Sequence, residues 1–444
     1  MRNRTYVLFL FLFHRVLVRK DDKMNQKLKT KLKLPKVLGI YKGLPREIYY
    51  LFAARIISNL GRFISPLLTL ILTQKIGMDS GRAGMLITLT VILQAPCVLI
   101  GGKLADTIGR KKVICTFFGL SALAYIICGF MPVSIELAYM LIVAACLASV
   151  PGAAYDAYVA DFTTEKNRQA SYSLLYMGMN VGAAIAPCVA GLLLENHLSI
   201  LFFGDAVTSL LAVAVLTLNI RDKYDIRAIR KQNTKKAQAM KENVFRVLLE
   251  TPELIFFAVI MMAFSFTYSE WDFGLPLCMS NVFGTRSSAL YGALCTINGI
   301  MVIFITPLVV SLTRRFKVTH ILSAAGLFYA GCFIVSSLSS HLFGFVVAII
   351  LLTLGEICCT VNYSTFVSNV ARPTHLGRIN SILSIISDIG RCASPLIIGN
   401  VIVFVGVEKA MLVVALIALL GAVSIYFLKY HENTVDMGAT QKMI

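Results

Sequence analysis

The amino-acid sequence predicts an all-α polytopic membrane protein with twelve membrane-spanning helices in two pseudo-symmetric six-helix bundles. Three observations lead there. The chain is 57% hydrophobic and only 15% charged, whereas soluble domains are roughly 45–50% apolar. Its Lys and Arg residues collect at alternate connections between apolar segments. A pattern of glycine, proline and small residues in the first half returns in the second at a fixed offset.

The mean hydropathy over 444 residues is +0.76. The long segments are apolar on every face and show little strict alternation, which argues for helices rather than a β-barrel. Backbone groups in lipid must find partners within their own segment, and helices provide them.

Residues 1–24 hold one apolar run, Tyr6–Phe13, eight residues long. A bilayer core needs about 20, so this run does not span. No small-residue cleavage site follows it, as a signal peptide would require. It reads as a dispensable extension or an interfacial anchor, and an upstream mis-assigned start before Met24 fits equally. A basic lead-in then closes a cytoplasmic segment, 1–47.

Spans 1 to 6 are expected near 48–74, 83–105, 112–132, 137–159, 170–194 and 199–219, forming a first bundle over 48–219. A basic linker, 220–251, interrupts the pattern. Spans 7 to 12 are expected near 252–278, 288–312, 319–338, 342–366, 378–404 and 409–429. They form a second bundle over 252–430, with a tail at 431–444.

With the N-terminus cytoplasmic, the inner connections receive 29 Lys and Arg residues counted from Lys27. The outer connections receive only Lys75, Arg82, Arg286 and Lys409. The positive-inside rule then predicts both termini in the cytoplasm. The formal charge of +19 would suggest nucleic acid in a soluble protein; distributed in this way it is a topology signal, and no nucleic-acid partner is expected. The eleven cysteines show no CxxC pairing and no metal-ligand spacing with histidine, so they read as small packing residues and no metal is expected.

The repeat is specific. Gly182-x-x-x-Ala186-Pro187-x-x-x-Gly191 in span 5 matches Gly390-x-x-x-Ser394-Pro395-x-x-x-Gly399 in span 11 at an offset of 208 residues. Gly182, Pro187, Gly191, Gly390, Pro395 and Gly399 read as a helix-packing motif. Asn180 then pairs with Asp388 and Ser173 with Ser381, while Pro96 of span 2 and Pro307 of span 8 differ by 211. Repeats of this kind place substrate near the midplane, between the halves.

Between spans 2 and 3 lies Gly101-Gly102-Lys103-Leu104-Ala105-Asp106-Thr107-Ile108-Gly109-Arg110-Lys111-Lys112, which reads as a charged hinge loop with glycine pivots. Gly102, Leu104, Ala105, Asp106, Gly109, Arg110 and Lys111 match in order the G-x-L-A-D-x-x-G-R-K pattern of the major facilitator superfamily. The chain resembles that family over about 48–430. The glycine–proline pattern of span 5 resembles the family's antiporter motif, with Ala186 where that motif usually has Gly. Arg55, Gly61, Pro66 and Leu68–Leu70 in span 1 resemble bacterial multidrug efflux members, although span 4 offers Asp156 and no basic residue. The resemblance implies the major facilitator fold, alternating access, and a conformational gate formed by Gly102, Asp106, Gly109, Arg110 and Asp161. In that gate Asp106 and Arg110 would bridge to the start of span 11 and to Asp161 at the end of span 4.

Ionisable residues at the bilayer centre cost roughly 2.5–3.5 kcal/mol on insertion scales and normally face a cavity or a partner. Arg55 and Arg62 of span 1 are two turns apart, on one face with Asn59 between them. Asp388 and Arg391 of span 11 are three apart and able to pair. Glu356 lies near mid-depth in span 10. Glu270 lies toward the outer end of span 7, where it reads as an exposed rim charge or as a cavity carboxylate. The neighbouring Trp271 reads as an interface anchor or as a stacking platform for a planar substrate. The resemblance implies that spans 1, 4, 7 and 10 line the central cavity, which places Arg55, Arg62, Glu270 and Glu356 in reach of substrate. A carboxylate alternately exposed to each side can take up and release a proton. Glu356 and Asp388 are the first candidates, each also readable as one half of a fixed ion pair.

The expected function is secondary active transport, foremost proton-coupled efflux of small amphipathic compounds. Uptake or exchange of a small anionic nutrient or metabolite is the alternative that the two span 1 arginines favour. No G-x-x-x-x-G-K-[ST] loop is present, so the expected energy source is a proton gradient with no cofactor. The six dispersed histidines form no HExxH pattern, and an enzyme is not expected. The expected partners are a small-molecule substrate, protons and membrane lipid. The protein is expected to work as a monomer in a cell membrane, bacterial inner membrane by size and resemblance.

Overall fold

The structure is a computed structural model that describes residues 41, 43–220, 251–313, 315–371 and 376–428. The segment at 1–24, the lead-in lysines, the linker from 221 to 250, Arg314, Arg372 and the tail from residue 429 lie outside the described residues, as do the side chains of Lys166, Arg378 and Ser381.

Every regular element among the described residues is helical. Span 1 is α1 (Arg46–Leu60) followed by α2 (Ile64–Leu70), which ends in a π turn at Ile71–Lys75. Spans 2 and 3 are α3 (Ser80–Ile108) and α4 (Arg110–Phe130). Span 4 is α5 (Ile135–Ser149) and α6 (Pro151–Asp161), and spans 5 and 6 are α7 (Glu165–Leu193) and α8 (Leu198–Asn219). Span 7 is α9 (Pro252–Ser269) and α10 (Gly274–Phe283); span 8 is α11 (Ser287–Thr313). Spans 9 to 12 are α12 (Val318–Leu338), α13 (Leu342–Val370), α14 (Leu376–Val405) and α15 (Val407–Phe427).

Eleven runs of described residues are long and apolar enough to cross a membrane. One of them, Pro252–Thr313, has 62 residues. A straight helix of that length would measure about 93 Å, three times a bilayer core of about 30 Å. The chain turns at Glu270–Phe273 and again at Gly284–Arg286, so this run supplies two crossings, which makes twelve among the described residues.

Three of the described spans are interrupted. Pro151 has no N–H and starts α6 afresh after Val150. In span 1, Gly61 follows α1, and a Cβ there would lie 1.6 Å from Thr208 Oγ1. The freed Phe63 N–H donates to Asp205 Oδ1 at 3.0 Å, so a buried carboxylate of α8 caps the restart. Span 7 breaks at Glu270, whose position is 208 residues after Arg62 in the other interrupted span.

The described residues fall into two compact units. The first holds the chain up to Ile64, Leu93–Ala186 and the helix after His197; the second holds Ser65–Ile92, Pro187–Asn196 and the chain from Thr251 on. This division does not follow the two chain halves, because 65–92 and 187–196 group with the later residues. In the first unit α8 packs on α4 and α1, around a core that includes Ile48, Phe52, Tyr155, Tyr158, Leu174 and Leu216. In the second, α12 packs on α13 and α15, and α9 packs on α14. Large apolar side chains such as Leu99, Phe130, Leu218, Phe304 and Phe404 are exposed, as lipid-facing positions of spanning helices are.

The stretch 101–112 corrects the expected hinge loop. Gly101 to Ile108 are the last turns of α3, and Arg110 already begins α4. Only Gly109 is non-helical, and its φ of 105° lies where a side chain is strained.

Candidate functional site: a cavity among four spans of the second unit

Four helices of the second unit line an open cavity of about 290 Å³. Met261, Phe264, Ser265 and Tyr268 come from α9, and Glu356, Cys359, Thr360 and Tyr363 from α13. Both sets follow i, i+3, i+4, i+7 spacing, which lays them along one face of each helix. Ser384, Ser387 and Asp388 of α14 and Tyr329 of α12 complete the wall.

Close backbone approach makes the aromatic wall possible. Phe264 packs into α12 and α15 at Gly326 and Gly421, where an added Cβ would lie 2.7 Å from its ring. Gly355 gives Tyr329 room in the same way at 2.8 Å. Tyr329 then meets Phe264 edge-on with ring centroids 5.9 Å apart, and Tyr268 at 6.0 Å.

Glu356 is held from behind. Asn298 of α11 donates to its Oε2 at 2.9 Å, and to Thr353 Oγ1 at 3.0 Å. Among the described residues Glu356 pairs with no Lys or Arg. Asp388 does pair: Arg391 Nη2 lies 2.9 Å from its Oδ1, one turn away, as the spacing predicts, with both side chains about half exposed. The fixed-pair reading therefore applies to Asp388 and not to Glu356. Asn298 is a lone amide in an apolar span and carries no pattern in the sequence; only the fold shows it beside a carboxylate.

Residues 51–395 match the family model of the Major Facilitator Superfamily. A Na(+), Li(+), K(+)/H(+) antiporter of Planococcus maritimus is 20% identical over 360 residues, 75% of this chain and 84% of the relative. The multidrug resistance protein MdtH of Yersinia enterocolitica is 24% identical over 245 residues, 54% of this chain and 58% of the relative. Among solved structures, the peptide transporter POT in complex with sulfate superposes with a TM-score of 0.64 at 18% identity, covering 88% of this chain and 97% of that one. The chain belongs to the major facilitator superfamily. It is a multi-pass membrane transporter of small molecules and not an enzyme.

The remaining charged positions of this facilitator are distributed unevenly. Arg55 extends from α1 over the Tyr155 ring, 4.8 Å from its centroid, and Nη2 donates to Met179 Sδ at 3.2 Å. Arg62 does not share a face with it, because α1 ends at Leu60 and Arg62 lies exposed in the break. Glu270 is not a rim charge. It is completely buried and accepts a hydrogen bond from Ser394 Oγ of α14. Ser394 occupies the motif position filled by Ala186 in the first half, so this bond has no counterpart there. Trp271 is buried against Tyr291, ring centroids 5.4 Å apart, and is neither an interface anchor nor an open platform.

At the other end of the chain's repeat, Arg110 is buried and donates both to Asp161 Oδ1 and to the Ala157 carbonyl at the end of α6. Asp106 is exposed two residues before the end of α3. The glycine in tight contact is Gly101, where a Cβ would lie 1.9 Å from the Val150 carbonyl oxygen, whereas at Gly102 the nearest atom would be 3.5 Å away. Among the described residues no cluster of three or more His, Cys, Asp or Glu is placed to hold a metal ion.

Proposed function

We propose that this facilitator is a proton-coupled exporter of small amphipathic compounds. The observation behind the reading is Glu356. It is a carboxylate on the wall of an aromatic cavity, oriented by Asn298 and without a basic partner among the described residues. Such a group can exchange its proton for a ligand without first breaking an ion pair. The amphipathic lining, with Met261 and Cys359 beside tyrosines and serines, suits varied ligands that combine an apolar body with a polar edge. Both termini would be cytoplasmic by the positive-inside count, with 48–219 and 252–430 as the bodies that alternate access, working as a single chain in a bacterial inner membrane. Asp106, Arg110 and Asp161 would gate that movement, with Asp106 reaching the start of span 11.

A second reading draws on Arg55, which makes no ion pair among the described residues and would suit a small anion in uptake or exchange. One experiment separates the two. Purified protein in proteoliposomes should drive amphipathic compounds against their gradient when a pH gradient is imposed, and should stop when an ionophore collapses it. Flux that ignores the ionophore rejects proton coupling, and accumulation of small anions in place of amphiphiles favours the second reading.

A further inference from the structure

Spans 2 and 4 of the first unit hold two cysteines that transport leaves without a task. The thiols of Cys97 on α3 and Cys146 on α5 lie within hydrogen-bonding reach of each other. Neither is in a disulfide, and both are half-buried. Contacts on either side fix the pairing. Gln94 Nε2 donates to the Ala145 carbonyl at 3.3 Å, about one turn of α3 before the thiols. One turn after them, a Cβ at Gly101 would lie 1.9 Å from the Val150 carbonyl oxygen. Residues 94, 97 and 101 thus meet 145, 146 and 150 in rising order, and the two spans run side by side in one direction.

A disulfide needs Cα atoms about 4.4–6.8 Å apart. Packed helix axes usually lie about 8–10 Å apart, so cysteines bridge them only where the backbones close in. Gly101 gives that approach one turn from the thiols. With no third His, Cys, Asp or Glu grouped with it among the described residues, the pair is short of the donors that a zinc site takes. The surroundings decide which oxidant reaches it. Leu93 and Ile100, one turn from Cys97, and Val143, one turn from Cys146, are exposed, so the thiols open on an apolar surface. An uncharged peroxide dissolved in the bilayer meets that surface.

We propose that Cys97 and Cys146 form a thiol switch that apolar organic hydroperoxides close as a disulfide. The first thiol, as its thiolate, attacks the terminal peroxide oxygen. The O–O bond breaks, the alcohol leaves with the thiol proton, and a sulfenic acid remains. The second thiol attacks that sulfur, the S–S bond forms, and water departs. Two electrons pass from the thiols to the hydroperoxide. The bridge fixes α5 to α3 just before Pro151 restarts the span as α6. That helix carries Asp161 and the Ala157 carbonyl, both held by Arg110. Closing the bridge stiffens the joint between α5 and α6. Neither the bridge nor its effect on the joint requires that the protein export anything.

The test exposes the purified full chain in lipid nanodiscs to cumene hydroperoxide. Remaining thiols are then alkylated and the peptides mapped by mass spectrometry. A 97–146 bridge should exceed every other cysteine pairing about tenfold, and dithiothreitol should reverse it. Amide exchange over 149–161 should slow about threefold or more in the bridged protein. In Cys146→Ser, Cys97 should stop at the sulfenic acid, which dimedone traps, and exchange over 149–161 should ignore the peroxide. Oxidation scattered over the eleven cysteines with no 97–146 bridge overturns the proposal, and this outcome is read on the unaltered chain whether or not the variant folds. A bridge that leaves exchange over 149–161 unchanged overturns the switch.

Discussion

Ser80 Oγ donates to the Gly399 carbonyl at 3.0 Å, and Ser288, 208 residues later, donates to the Gly191 carbonyl at 3.1 Å. The same relation holds for the nearby glycines. A Cβ at Gly84 would lie 1.9 Å from the Pro395 carbonyl oxygen, and one at Gly292 would lie 2.3 Å from that of Pro187. Span 2 therefore meets span 11 as span 8 meets span 5, residue for residue. A glycine on the partner lets the backbones close on the proline carbonyls of α7 and α14.

This twin contact predicts matched losses. Gly84→Leu and Gly292→Leu should each lower thermal stability strongly, because overpacking against backbone costs about 1–3 kcal/mol or more. Ser80→Ala and Ser288→Ala should each cost only about 0.6 kcal/mol, the usual worth of one interhelical hydrogen bond in a membrane. Thermal unfolding in detergent measures all four. Unequal effects within either pair would contradict the symmetry.

Gly109→Ala should destabilise by about 1–3 kcal/mol, since φ of 105° is a glycine conformation. Gly102→Ala should be nearly silent by the same measurement, having space for a methyl group.

Arg110 and Asp161 should prove coupled. Either Arg110→Gln or Asp161→Asn leaves a polar group short of a partner next to α6, while the double variant removes both. A double-mutant cycle on thermal stability should give an interaction of about 0.5–3 kcal/mol; additive effects would mean that the contact contributes nothing.

Glu270→Gln should retain stability, because glutamine keeps the volume and an acceptor for Ser394. Glu270→Ala leaves a cavity and a serine without its partner, and should lower stability by about 2–5 kcal/mol. If Gln and Ala behave alike in unfolding, the Ser394 bond has no structural role.

Glu356→Gln should abolish uphill transport driven by a pH gradient while leaving expression intact. Asn298→Ala should weaken transport less, because it removes the donor that orients Glu356 and leaves the carboxylate itself. Proteoliposome flux on both variants, with unfolding as the control, decides this. Unchanged flux in Glu356→Gln removes it from the mechanism.

Little of the cavity was legible in the sequence beyond its charges. Met261, Phe264, Ser265 and Tyr268 share one face, as do Glu356, Cys359, Thr360 and Tyr363, but a shared face becomes a wall only once the opposing helices are known. Glu356, Asp388 and Arg391 stood out as charges within apolar spans. Glu270 was misleading because position along a span tells depth, not burial; the Ser394 hydroxyl that meets its carboxylate comes from a span more than 120 residues away. An unbroken helix would put Arg62 on the face of Arg55, but the break depends on Thr208 and Asp205 of α8.

The sequence by itself determined the number of spans, the side on which basic residues gather and the 208-residue repeat. These follow from local quantities: the length of apolar chain a bilayer demands, the charge of short connections, and the spacing of glycine and proline. Only the tertiary structure decided which side chains meet. A helix's period says which residues share a face, but not which helix lies opposite. Asn298 behind Glu356, Ser394 on Glu270 and the Val150 carbonyl against Gly101 are contacts between segments distant in the chain, set by packing that no local pattern records.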